Sequence, residues 1–288
     1  MEKLKIGLIG LGNIGTFYAK KLLEANYTLY VYNRTKSKLE EPAALGALIA
    51  ASPEELTDSV DVIILSLIGS HVVEPIMRDK IVPHLREGQV VIDTSTCHPR
   101  TEELCEALCK EKKAGFLEAP LTWRASGQIL MIGGEEQVIQ KVEDILRCIS
   151  YRYQRVGGIG SGQRLKALNQ AYIANNLMNY AELIEYAQKA ELDPYLIRDL
   201  LEFPVPENLL REDYAGQRNL AMHYKDLGYF MEIAHEIRAF VPMTGFAHEI
   251  FKSCELSCDP TWAQAGIRTF YQKAGAGRDN KITKPKSP

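Results

Sequence analysis

The hydrophobic pattern changes character once along this chain. Up to Val156, short apolar runs alternate with stretches of helical periodicity, and beyond that only helical patterns remain. Residues 6–9, 28–32, 61–67, 89–93, 115–120, 129–134 and 151–156 read as strands, with a further candidate at 48–50. Between them, Phe17, Ala19, Leu22 and Leu23 recur at helical intervals across residues 16–25, and residues 36–41 form a charged turn or short helix. Ser52, Pro53 and Glu55 occupy the N-cap, first-turn proline and capping-box positions of the next helix. Residues 72–84 read as a helix ending near Gly88, and Thr101 as the cap of a helix running to about Lys113. Residues 121–124, just after Pro120, read as an edge loop, and residues 135–149 as one amphipathic helix. Strand and helix in alternation predict a doubly wound parallel sheet.

Residues 157–162, four of them glycine, then read as a hinge. Residues 163–190 keep uninterrupted helical periodicity, and Pro194, Pro204, Pro206 and Pro242 punctuate shorter helices after it. The expected organisation is a sheet domain over residues 1–161, an all-helical substrate and oligomerisation domain over 162–274, and a polar flexible tail over 275–288.

The first strand runs into Gly10-Leu11-Gly12-Asn13-Ile14-Gly15 and then a helix. Strand, G-x-G-x-x-G and helix is the order a Rossmann-type dinucleotide site requires. Gly10 permits the tight turn, Gly12 exposes backbone to a pyrophosphate, and Gly15 lets helix and strand approach. The pyrophosphate then lies on N–H groups at the positive end of the helix. All six residues are candidate cofactor contacts. The second strand ends at Asn33-Arg34-Thr35, with Lys36 and Lys38 close by, where an NAD site usually carries a carboxylate for the ribose hydroxyls. A guanidinium pairs with a 2′-phosphate that a carboxylate would repel, so Asn33, Arg34 and Thr35 point to NADPH rather than NADH.

Bulk properties narrow the field further. A formal net charge of −3 gives no general reason to expect nucleic acid or a membrane surface as partner. No apolar run approaches the roughly 20 residues that span a bilayer, and the chain enters a strand at once without a signal segment, so a cytoplasmic protein is expected. Cys105 and Cys109, like Cys254 and Cys258, are four apart without histidines at ligand spacing, so free thiols and no metal are expected.

Three further motifs follow the glycine turn: Asp93-Thr94-Ser95-Thr96-Cys97-His98-Pro99, then Gly160-Ser161-Gly162-Gln163-Arg164-Leu165-Lys166-Ala167-Leu168-Asn169, then Lys225-Asp226-Leu227. In that order and spacing the chain resembles the β-hydroxyacid dehydrogenase family, which includes 3-hydroxyisobutyrate dehydrogenases and semialdehyde reductases, over about residues 3 to 272. The resemblance implies that Lys166 is the catalytic lysine and that Asn169 orients the substrate. It implies that Thr96 contacts the ribose near the nicotinamide, that Lys225 closes over the cofactor, and that Thr122 stands in place of a carboxylate-binding serine. Ser95 is added as a substrate contact and Leu67 as a cofactor contact. It also implies a homodimer or homotetramer.

The lysine makes chemical sense by itself. Hydride delivery to a carbonyl builds negative charge on oxygen, and an ammonium there stabilises it and gives a proton. Lys166 and Asn169, three apart, share a helix face directly after the hinge, where an interdomain pocket is expected. One stretch departs from the family: the usual D-A-P-V-S-G-G is here Glu118-Ala119-Pro120-Leu121-Thr122-Trp123-Arg124, and the second asparagine is Gln170. Arg124 would supply charge for an acidic group, or Trp123 would line a pocket for a bulkier substrate. The reading is an NADPH-dependent, reversible reductase of an aldehyde or keto group on a small acidic molecule. Its alternatives are imine-reductase-like activity, against which Lys166 argues, and a non-catalytic dinucleotide-binding module.

Overall fold

The computed structural model describes residues 3–216 and 219–275, and the tail expected beyond Gly275 lies outside the described residues. Six strands run parallel: β1 (Ile6–Ile9), β2 (Leu29–Tyr32), β3 (Leu48–Ile49), β4 (Val62–Leu65), β5 (Val90–Asp93) and β6 (Gly115–Glu118). Their order across the sheet is β3-β2-β1-β4-β5-β6, the doubly wound dinucleotide-binding order. Every residue of β4 is buried. Val62 and Ile64 join a core on one face of the sheet while Ile63 and Leu65 join the core on the other. A strand covered on both faces has no polar alternation, which is why these strands appear in the sequence as continuous apolar runs.

Helices cover both faces. After β1 comes α1 (Asn13–Glu24), which starts at Asn13 rather than residue 16, so Gly15 lies inside its first turn. Next are α2 (Glu40–Ala44) and α3 (Pro53–Ser59). Half of the predicted capping box is present: the Glu55 N–H donates to Ser52 Oγ at 3.2 Å, while the Glu55 carboxylate accepts the Ala51 N–H, one residue before the cap, at 2.7 Å. The helix expected over 72–84 is instead α4 (Ser70–Ile76), a π turn (Met77–Ile81) and a 3₁₀ turn (Val82–His84). Pro75 and Pro83 both fall in this stretch, and neither has an N–H for an i−4 bond. The next helix, α5 (Pro99–Glu111), is capped by His98, whose Nδ1 accepts the Arg100 N–H at 3.2 Å. Thr101, the expected cap, donates instead to Glu74 at 2.6 Å.

The sheet then reverses. β7 (Leu121–Arg124) and β8 (Gly127–Gly134) form an antiparallel hairpin, so the edge loop expected at 121–124 is a strand. β8 also pairs antiparallel with β6, and its other edge takes β9 (Arg152–Gly157) in parallel. The single helix expected at 135–149 is two, α6 (Glu136–Lys141) and α7 (Glu143–Ile149), broken at buried Val142, whose φ is −117°.

The chain divides into two compact units between Lys166 and Ala167, within α8 (Ser161–Lys189). α8 begins at Ser161, so the expected hinge glycine Gly162 is already helical. The second unit continues through α9 (Leu196–Asp199), α10 (Glu207–Leu210), α11 (Leu220–Glu236), α12 (Pro242–Ser257) and α13 (Arg268–Gly275). Its core is built on Ile184, Leu209, Leu227, Ala247, Phe251 and Ile267. Arg268, 1% exposed, donates to the carbonyls of Leu209 and Leu210 and pairs with Glu212 at 3.0 Å, holding α13 to the end of α10. Among the described residues no helix is long and apolar enough to cross a membrane.

Candidate active site

The strand order puts the loops after β2, β1, β4 and β5 side by side, and hydrogen bonds stitch each to the next. The Gly10 N–H donates to the Tyr32 carbonyl at 3.0 Å, Ser66 to Ile9 at 2.9 Å, and Thr94 to Leu65 at 2.9 Å. Within that row the glycine turn is shaped by contact. Gly10 has φ +100°, and a Cβ there would lie 2.3 Å from the Ser66 carbonyl oxygen. A Cβ on Gly15 would lie 1.9 Å from the Gly10 carbonyl oxygen. A Cβ on Gly12 would meet nothing within 4 Å. Gly12 is also the N-cap of α1 and offers no capping side chain, so its exposed end presents bare N–H groups to incoming anionic oxygen. These residues fit a dinucleotide pyrophosphate.

Around the turn, Asn13 is exposed, Ile14 and Leu67 are half-buried, and Leu11 is buried. The Leu11 N–H donates to Asn33 Oδ1 at 2.9 Å and Asn33 Nδ2 donates to the Thr35 carbonyl at 2.9 Å. Asn33 therefore braces the glycine turn against the end of β2. Arg34 and Thr35 are exposed beside it, and no carboxylate pairs with Arg34 among the described residues. After β5, Ser95 Oγ accepts the Leu67 N–H at 2.9 Å, and the Ser95 N–H donates to Asp93 at 2.8 Å. Thr96 is the half-exposed residue in a buried run from Val91 to Pro99.

β7 sorts its side chains by alternation. Trp123 packs edge-on against Phe17 of α1 with centroids 5.4 Å apart. Its cross-strand partner Gln128 donates to Tyr18 of α1 at 2.9 Å. Thr122 and Arg124 take the opposite face. There Arg124 Nη1 donates to Thr122 Oγ1 at 2.9 Å and to the Trp123 carbonyl at 3.0 Å.

Along α8, Gln163, Lys166, Asn169 and Gln170 are buried while Arg164, Leu165 and Leu168 are exposed, so the polar side chains form the inward stripe. Lys166 is 9% exposed. Three residues that the sequence reading gave no role support the start of this helix. Glu118, Glu102 and Gln163 are each 1% exposed or less. The Gly162 N–H donates to Glu118 at 2.8 Å, a carboxylate on the positive end of α8. Burial raises Glu118 to about 7 against the lowering pull of those N–H groups. Burial likewise raises Asp93 to about 6, and burial with the neighbouring Asp93 and Glu118 charges raises Glu102 well above the usual carboxylate range. Acids beside apolar runs, as Asp93 and Glu118 are, were the available hint.

In the second unit, Asn169 Nδ2 donates to Gln170 Oε1 at 3.3 Å, and Gln170 Nε2 donates to Asp226 Oδ2 at 2.6 Å. Asp226 Oδ1 lies 2.9 Å from Lys225 Nζ, which also sits 5.0 Å from the Tyr229 ring centroid. Glutamine at 170 has the extra methylene that carries the amide to α11. Lys225 lines a hollow of about 420 Å³ with Tyr224, Tyr229 and His248. A larger hollow of about 610 Å³ lies under α6, α7 and β9, away from the strand ends, and its Glu143 and Arg147 pair with each other.

Comparison with known proteins agrees with this arrangement. Residues 5–158 match the NAD binding domain of 6-phosphogluconate dehydrogenase. Residues 160–267 match the family described as NAD-binding of NADP-dependent 3-hydroxyisobutyrate dehydrogenase. Among curated relatives, 2-(hydroxymethyl)glutarate dehydrogenase of Eubacterium barkeri is 26% identical over 88% of this chain and 90% of its own length. Two solved structures share the fold. One is Mycobacterium tuberculosis 3-hydroxyisobutyrate dehydrogenase with L-serine, with a TM-score of 0.85 at 22% identity, covering 93% of this chain and 99% of that one. The other is an imine reductase from Myxococcus stipitatus in complex with NADP+, with a TM-score of 0.62 at 18% identity, covering 93% and 99%.

Proposed function

Because this chain belongs to the β-hydroxyacid dehydrogenase family, we propose that it reduces an aldehyde or keto group on a small acidic molecule, reversibly, with NADPH as the preferred cofactor and Lys166 as the proton donor. The chain is an NAD(P)-dependent oxidoreductase. The observation that carries the finer reading is Lys166 itself, a lysine kept on the buried polar stripe of α8. It stands one turn before Asn169 on the same face of the helix, the spacing that lets an ammonium and an amide meet one carbonyl.

The nicotinamide, when bound, supplies the hydride. The protein's share is to hold the carbonyl and its charge. Lys166 Nζ donates a proton to the carbonyl oxygen as the carbon is reduced, and takes it back in the oxidative direction. Asn169, one turn on, orients that oxygen, its amide held by Gln170. Gly12, Asn13 and Ile14 receive the pyrophosphate, Gly10 and Gly15 shape the turn, and Arg34 and Thr35 face the 2′-phosphate. Leu67 and Thr96 would border the nicotinamide riboside, and Lys225 is assigned to the cofactor by its family position alone.

Substrate acidity is read from β7. Thr122 and Arg124 share one face, with the guanidinium resting on the threonine hydroxyl, while Trp123 is turned to Phe17. An arginine there offers a carboxylate a charge-assisted, two-pronged contact in place of the backbone N–H groups of two glycines. The packing of Trp123 on Phe17 weighs against the part of the non-catalytic reading that rested on its indole. The test is a panel of semialdehydes and 2-oxoacids, with and without a second carboxylate, followed by loss of NADPH absorbance. Acidic carbonyls should turn over, and Arg124→Ala should raise their KM by about tenfold or more, the worth of one charged hydrogen bond. Equal turnover of neutral carbonyls, or an Arg124→Ala variant with unchanged KM, contradicts the assignment of substrate class.

A further inference from the structure

Gln163 sits three residues before Lys166 on the same face of α8 and is 1% exposed. Its amide is saturated by one stretch of chain. Nε2 donates to the Ser95 carbonyl at 3.0 Å and to Glu102 Oε1 at 2.8 Å. Oε1 accepts the Cys97 N–H at 3.1 Å. Ser95 and Cys97 are the two neighbours of Thr96, so one side chain brackets Thr96 from both sides. Glu118 secures the same turn of helix from beneath, through the Gly162 N–H. The turn packs closely on β8, since a Cβ on Gly162 would lie 2.4 Å from the Met131 carbonyl oxygen.

We propose that Gln163 is a positioning residue of the reduction, holding the Ser95–Cys97 loop in register with the turn of α8 that carries Lys166. The inference rests on the reading of Lys166 as proton donor and Thr96 as a contact of the nicotinamide ribose. The physical argument is one of tolerance. Proton donor and hydride donor must both be aimed at one carbonyl, and a misplacement of about 1 Å far from the reacting atoms costs rate more than affinity. Thr96 lies in the loop after β5 and Lys166 on the helix, and the Gln163 side chain ties that loop to that turn of helix. Its partner Glu102 fixes the amide's orientation by accepting from Nε2, which leaves Oε1 for Cys97.

The experiment uses the full chain and four variants, Gln163→Met, Gln163→Glu, Lys166→Ala and the exchange Gln163→Glu with Glu102→Gln. Read for each are kcat on an acidic carbonyl, the dissociation constant of NADPH by fluorescence, and the melting temperature. Gln163→Met keeps length and loses both hydrogen-bonding ends, and Gln163→Glu loses the donor beside Glu102. Both should lower kcat by about tenfold or more while the NADPH dissociation constant moves less than about threefold. The exchange restores a donor–acceptor pair between positions 102 and 163 and leaves a carboxylate oxygen for Cys97, while the Ser95 carbonyl stays without its donor, so it should recover part of the lost kcat. Folded Gln163 variants with wild-type kcat overturn the inference. So does a kcat loss that is matched by weaker NADPH binding and is not recovered in the exchange, since that is the behaviour of a stability residue. Full activity in Lys166→Ala would instead overturn the reading of the proton donor, so the two failures are distinguishable.

Discussion

Asn33 and Arg34 are neighbours with different tasks. Asn33 spends its side chain on the Leu11 N–H and the Thr35 carbonyl, so it sets the shape of the glycine turn. Arg34 is exposed next to Lys36 and Lys38, making the end of β2 a cationic rim. Arg34→Ala should therefore lower the preference for NADPH over NADH by about tenfold, the cost of a lost charged contact, without loosening NADH. Competitive binding of the two cofactors measures this, and an unchanged ratio contradicts the 2′-phosphate assignment. Trp123 makes the complementary point. Its indole packs on Phe17 while Arg124 lies over Thr122, because successive residues of a strand face opposite ways. A loop reading of 121–124 has no such rule and left the two open as rivals.

Among the elements, the buried strands and the long helix could be read from the sequence because each carries one unbroken signal. The strands β1, β4 and β5 are continuous apolar runs buried on both faces, and α8 holds helical periodicity throughout. What escaped was decided by partners distant in sequence. β7 has four residues, two of them polar or charged, and becomes a strand by pairing with β8. The cap of α5 is His98 because Thr101 is claimed by Glu74 of α4. Gln163 has no local pattern at all, since its role depends on Ser95, Cys97 and Glu102.

The elements β5, α5 and β6 also carry a pH dependence. Asp93 is raised to about 6 and Glu118 to about 7, and Glu102 is raised well above its usual value. Folded values above unfolded ones mean that the native protein holds more protons than the unfolded chain between about pH 4 and 7, so these groups make stability fall as pH rises through that window. Urea midpoints across that range should decline with pH, and Glu118→Gln, whose carbonyl still accepts the Gly162 N–H, should flatten the decline. An unchanged slope in that variant contradicts the protonated reading of the buried acids.

At the scale of the molecule, the features that fit a dinucleotide lie on the ends of β1, β2, β4 and β5 in the first unit. The second unit holds, within itself, the chain of contacts Asn169–Gln170–Asp226–Lys225. α8 belongs to both, beginning at Ser161 under Glu118 and passing from Lys166 to Ala167 where the units divide. The polar stripe of one helix thus carries Lys166, the residue proposed as proton donor. The direct measurement is the turnover of Lys166→Ala set beside its NADPH dissociation constant. Loss of kcat by about a hundredfold or more, the usual worth of a positioned proton donor, with NADPH bound nearly as in the wild type, is the expected result. Wild-type turnover in that variant would contradict the account at its centre.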